Sequence, residues 1–112
     1  MTDRGDSRMT GRPVRRKPNN RRPAVTHVIE GAGGEFSVTL GYNLETMRIC
    51  EVFIAGSKVG SEMQSLLDDC AVLLSLALQY GVPHAQLLHS LHTGRVEGAA
   101  SLLGQVVELL HE

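Results

Sequence analysis

Residues 51–81, EVFIAGSKVGSEMQSLLDDCAVLLSLALQYG, restrict the fold of this chain more than any other stretch. A short apolar run, Val52, Phe53 and Ile54, leads into a glycine-bearing turn, and the turn opens a long helix. Ser61 is placed to cap that helix, and Gln64, three residues on, completes a capping box. From Cys70 to Leu78 only Ser75 interrupts the apolar residues, so the helix is expected to be wrapped by the rest of the domain. Gly81 stands where a helix closes in the left-handed conformation, and Pro83 keeps it from resuming.

The segments on either side supply what such a helix needs. FSVTLGY (36–42) alternates, with Phe36, Val38, Leu40 and Tyr42 on one face. THVIE alternates less cleanly, with Val25, His27 and Ile29 against Thr26, Val28 and Glu30, and GAGG between the two runs predicts a hairpin. That loop precedes a strand, not a helix, and no Lys-Ser or Lys-Thr follows it, so it is not expected to cradle phosphate. After a turn at 43–46, residues 48–55 form a third strand with Ile49, Val52 and Ile54 as its apolar members. A second helix is predicted over 83–93, with Pro83 at its first position and Gly94 closing it, and a third over 100–111. The apolar excess of the third helix predicts contact on two sides, in the core or across a dimer interface. The fold class is α+β: a small antiparallel sheet of about three strands, covered by one long helix and two shorter C-terminal helices. A chain of 112 residues supports one such core.

Charge divides the chain in two. Residues 1–23 hold eight Lys or Arg against Asp3 and Asp6, whereas residues 24–112 hold three, Arg48, Lys58 and Arg95, against ten acids. The first segment is nearly free of apolar side chains and is expected to be a disordered basic arm; residues 24–112 are the domain. The arm either reaches for phosphate, in nucleic acid or a nucleotide, or docks on the acidic body. No aromatic residue interleaves its arginines, which argues against a platform for stacked bases.

Residue chemistry elsewhere is spare. His89 and His92 share a helix face, with His84 and His111 nearby, but no Cys-x-x-Cys or His-Glu-x-x-His accompanies them, so no metal site is predicted. Cys50 and Cys70 are single and far apart, and Cys70 reads as a buried inert thiol. Lys58, in the turn that opens the long helix, adjoins N-terminal amides near Ser61 and is a candidate for anion contact; a tight turn is the simpler reading of the same residues. There is no Ser-His-Asp set and no carboxylate pair for acid–base work, so no catalytic residue is predicted. The phosphate or nucleic-acid candidates are Arg15, Arg16, Lys17, Arg21, Arg22, Lys58 and Ser61. Two cysteines make no disulfide framework, the N-terminal segment has no apolar signal core, and no apolar run reaches the roughly 18 residues of a membrane span. The expectation is a cytoplasmic protein with no membrane partner.

EVFI (51–54), GSKVGSE (56–62) and SLALQYGV (75–82) resemble the TSCPD-type domain at the C-terminus of adenosylcobalamin-dependent ribonucleotide reductases. RRKPNNRRP (15–23) followed by FSVTLGY is similar to the arm and strand of small free-standing members of that family. The resemblance covers roughly residues 15–110. The Thr-Ser-Cys-Pro-Asp signature itself is absent, so a metal or iron–sulfur role for a cysteine-bearing tail does not carry over. The family's catalytic machinery lies outside this domain. The resemblance therefore implies a non-catalytic accessory or regulatory module of deoxyribonucleotide synthesis, with no cofactor bound by this chain and adenosylcobalamin belonging to the full-length enzyme. Its implied partners are a ribonucleotide reductase large subunit, or a nucleotide or nucleic acid through the arm. The alternatives are a nucleic-acid-binding protein or a homodimerisation module unconnected to reductase.

Overall fold

The computed structural model describes residues 13–31, 34–93 and 100–110. Its elements are β1 (Ala24–Gly31), β2 (Gly34–Tyr42), β3 (Ile49–Gly56), α1 (Ser61–Gln79), α2 (His84–Ser90) and α3 (Leu102–Leu110). The strands form one antiparallel sheet in chain order, with a long helix and two shorter ones, the α+β architecture expected.

Strand β2 sets the inner face. Phe36, Val38 and Leu40 are almost fully buried, with Ser37 exposed between them. Opposite them stand Gly56, Ile54 and Val52 of β3, and Ile29, His27 and Val25 of β1. Burial fades toward β1, where Ile29 and His27 are half-buried and Val25 is exposed, because α1 packs along β3 at the other side. Ile49, Val52 and Ile54 are three and then two residues apart, and strict alternation would send Ile49 to the wrong face. A β-bulge resolves this: Gly41 pairs with Glu51 and Tyr42 with Ile49, which leaves Cys50 as the extra residue. Ile49, Cys50, Val52 and Ile54 are then all buried.

Helix α1 differs from expectation at its start and on its surface. Gly60, in extended conformation, is the N-cap; Ser61 is the first helical residue, and no side chain caps the helix. Gln64 does not turn back on the cap but reaches β3, as described below. Leu67, Ala71 and Leu74 enter the core, whereas Met63, Leu66, Val72 and Leu73 are exposed, so the helix is not wrapped. Asp68 and Asp69 are both exposed, and Asp68 accepts a 2.9 Å hydrogen bond from Gln64 Nε2 one turn earlier. The far end closes as predicted. Gly81 is left-handed at φ 91°, Val82 N–H donates to Ala77 O at 3.0 Å, and Gly81 N–H donates to Leu78 O at 3.1 Å.

The C-terminal helices complete the core through Leu88, Val106, Val107 and Leu110. Pro83 is the N-cap of α2 and not its first helical residue. Ser101 caps α3: its Oγ accepts Gly104 N–H at 2.9 Å, and its carbonyl accepts Gln105 N–H at 2.9 Å. Gly104 lies so close to α2's exit that a Cβ there would sit 1.7 Å from His92 O. The closure at Gly94, the tip of the GAGG hairpin and His111 fall outside the described residues. Among those described, no helix is long and apolar enough to cross a membrane.

Candidate functional site

Strand β3 is an outer strand, and among the described residues no strand pairs with the outward half of its backbone polar groups. Helix α1 supplies the partners from its side chains. Gln64 Oε1 accepts Gly56 N–H at 3.2 Å, and its Nε2 donates to Ile54 O at 3.0 Å. Ser75 Oγ accepts Val52 N–H at 2.9 Å and donates to Val52 O at 3.2 Å. Gln79 Nε2 donates to Cys50 O at 3.0 Å. Residues 50, 52, 54 and 56 are thus engaged in turn, and Ser75 and Gln79 are buried in doing so.

The arm is built onto the end of this seal. Gln79 gives its amide nitrogen to the strand and its Oε1 to Arg15, whose Nε donates at 2.6 Å. The Gln79 carbonyl accepts Arg16 N–H at 2.8 Å. Further along, Pro23 O accepts Tyr42 N–H at 3.0 Å, and Arg22 pairs with Glu51, Nε and Nη2 lying 2.6 and 2.5 Å from Oε1. Both partners are partly exposed, so this pair contributes about 0.2–1 kcal/mol.

The structure divides the candidate residues into two groups. Arg15, Arg16, Arg21 and Arg22 lie around the end where β3 begins and α1 finishes. Lys17 follows Arg16 with its side chain exposed. Lys58 and Ser61, both exposed, lie at the opposite end, where α1 starts. Helical rise alone separates Ser61 from Gln79 by about 27 Å. No single ligand the size of a phosphate spans both groups.

Three surface clefts include arm residues. One of about 510 Å³ is lined by Arg16, Arg48, Asn43, Thr46, Tyr80 and His84 over a floor that includes Ile49 and Leu78. A groove of about 540 Å³ runs between α1 and the outer face of β2 and β3, with Arg15, Phe53, Asp68 and Val72 on its walls. Arg21 and Arg22 line a shallower one of about 400 Å³ with Glu51. Sequence reasoning missed Arg48 as a site residue, and its signal was present: it is one of three cations in an acidic body. The 43–48 turn that carries it is tightly tied. Asn43 Oδ1 accepts Glu45 N–H and Thr46 N–H at 2.8 and 3.0 Å, Met47 N–H donates to Asn43 O at 2.7 Å, and Asn43 N–H donates to Arg48 O at 2.9 Å. Met47 takes φ 59° to close it.

Of the ionisable groups, Cys50 is perturbed. Burial pushes its thiol up, and the neighbouring Glu51 charge adds to the shift while Arg22 opposes it. A thiol held protonated is a poor nucleophile and a poor metal ligand. Cys50 and Cys70 are both unbridged. Among the described residues no three of His, Cys, Asp or Glu gather to hold a metal ion.

The family model of the TSCPD domain matches residues 9–112 of this chain. Similar proteins from Streptantibioticus cattleyicolor, Streptomyces clavuligerus and Streptomyces coelicolor are each named a vitamin B12-dependent ribonucleotide reductase. Each is 35% identical over 72 residues, 64% of this chain. The matched stretch spans only 12% of the first relative's length and 7% of the other two. No solved structure matches.

Proposed function

The chain belongs to the TSCPD domain family and is related through it to vitamin B12-dependent ribonucleotide reductases, and from that premise we propose that it is a non-catalytic accessory module of ribonucleotide reduction. One observation carries the reading: the shared stretch, at 35% identity, corresponds to 7–12% of a reductase. A part that small is suited to binding and positioning, not to turnover. The residues support this. The Cys50 thiol is buried with its pKa raised, and Gln64, Ser75 and Gln79 of α1 are engaged in sealing a strand. The exposed cations of the arm offer contact to phosphate, and the acidic body offers a face to a partner. The cobalamin chemistry in the relatives' name belongs to them.

The test is affinity capture from the native cell with the full chain, and with a chain lacking residues 1–23. Recovery of a ribonucleotide reductase, confirmed by direct binding of the purified enzyme, is the expected result. Recovery of nucleic acid alone, lost in high salt and on deletion of the arm, would replace this reading with a nucleic-acid-binding one.

A further inference from the structure

We infer that the cleft between the arm and the 43–48 turn is a phosphate-binding site, with Arg16 and Arg48 as its cationic groups. This deepens the proposed function, on which it rests for the choice of a nucleotide as probe.

Charge is the first argument. Residues 24–112 carry ten acids against three Lys or Arg, yet this cleft joins one of those three, Arg48, to Arg16 of the arm, with no carboxylate among its described lining residues. Of the other arginines nearby, Arg22 is engaged with Glu51 and Arg15 with Gln79. Among the described residues neither Arg16 nor Arg48 has an ion-pair partner. Two guanidinium groups on one cleft suit an anion with several oxygens, such as a diphosphate or triphosphate, which they grip through paired N–H donors.

The second argument is preorganisation. Arg16 is fixed at its backbone by the bond to Gln79 O at 2.8 Å. Arg48 is fixed by its carbonyl, which accepts Asn43 N–H at 2.9 Å, and by its N–H, which donates to Thr46 Oγ1 at 3.2 Å. A ligand therefore meets two stems already in place, and less ordering entropy is lost on binding. Neutral donors adjoin them. Asn43 uses its Oδ1 within the turn, which leaves its amide NH₂ to donate, and Thr46 accepts from Arg48, which leaves its hydroxyl proton to donate.

The third argument concerns the helix end beside the cleft. The C-terminus of a helix repels anions through its unpaired carbonyls. Here those of Leu76, Ala77, Leu78 and Gln79 accept from Tyr80, Val82, Gly81 and Arg16 respectively. Each is answered by a donor and does not stand bare toward the cleft. The volume, about 510 Å³, is within the range that holds a nucleotide-sized ligand.

The experiment is calorimetric titration of the full chain with inorganic tripolyphosphate and, separately, with ATP. Binding of at least one probe is expected, weakened about tenfold by Arg48→Ala and similarly by Arg16→Ala. Equal affinity for both probes means the phosphates alone are read; tighter ATP binding means the nucleoside is read as well. The inference is overturned if neither probe binds at millimolar concentration, or if both arginine variants bind as the parent does. It is also overturned if Arg48→Ala lowers the melting temperature while affinity holds, since the arginines would then only complement the end of α1. Reductase capture by the parent chain separates the two readings. If capture by the parent fails and the arginine effect stands, the partner is wrong and the site is right.

Discussion

The two flanks of α1 are opposite in character to what their neighbours would suggest. The flank against the sheet carries Gln64, Ser75 and Gln79, the last two buried, while the flank turned to solvent carries Met63, Leu66 and Leu73. A surface helix ordinarily has its apolar stripe inward and its polar face outward. The difference lies in what each flank meets. Leu67, Ala71 and Leu74 face apolar side chains, but further around the helix the neighbour is the bare edge of β3. An unpaired buried N–H or C=O costs about 1–3 kcal/mol, so a polar side chain that satisfies it stabilises more there than a leucine would. An exposed leucine, by contrast, costs little, because most proteins keep some apolar atoms at the surface.

Removing the central seal is the harshest way to break this contrast. Ser75→Ala leaves both Val52 N–H and Val52 O without a partner in a buried setting. The expected loss is about 2–3 kcal/mol, read as a lower urea midpoint at unchanged slope. A loss below about 0.5 kcal/mol, the range of an ordinary surface substitution, would mean that the seal is not what holds α1 to β3.

Gln79→Leu is expected to cost less, about 1–2 kcal/mol, because it orphans a single carbonyl, that of Cys50, and carbonyls tolerate lost partners better than N–H groups do. It carries a second readout. Arg15 loses its acceptor, so trypsin should cleave after Arg15 and Arg16 faster in the variant than in the parent at equal folded fraction. Unchanged cleavage would show that Gln79 does not anchor the arm.

Much of this fold was legible in the sequence, and the failures share a cause. Phe36, Val38 and Leu40 declared their strand by period, and Gly81 with Pro83 declared the end of α1, because both signals are local. The bulge at Cys50 was also latent, in the three-residue gap between Ile49 and Val52, but it needs the partner strand before it can be read. What could not be read was the use of Gln64, Ser75 and Gln79. Gln64 fits a capping box equally well, and only the lateral placement of α1 on an edge strand sends its amide to Ile54 and Gly56. The site shows the same division. The arm's arginines were visible as charge, but Arg48 acquires a role only when folding brings the 43–48 turn beside residue 16. Lys58 and Ser61 were joined to the arm by chemistry alone, and the length of α1 keeps them apart.

The smallest effect is expected on the outer flank, and it sharpens the comparison most. Leu73 is 68% exposed, so little of its apolar area leaves water on folding. Leu73→Lys should therefore change stability by no more than about 0.5 kcal/mol, in either direction. The lysine is a good helix former and its charge sits beside Asp69, one turn earlier, which offsets part of any loss. Urea unfolding at two protein concentrations is the measurement. A flank bare in solution gives the same small change at both. A loss of 2 kcal/mol or more, as burial of a leucine would produce, and larger at the higher concentration, would show that a second copy of the chain covers Leu66 and Leu73. The outer flank would then be an apolar interface, and the contrast between the two sides of α1 would be one between sealing a strand and meeting a partner.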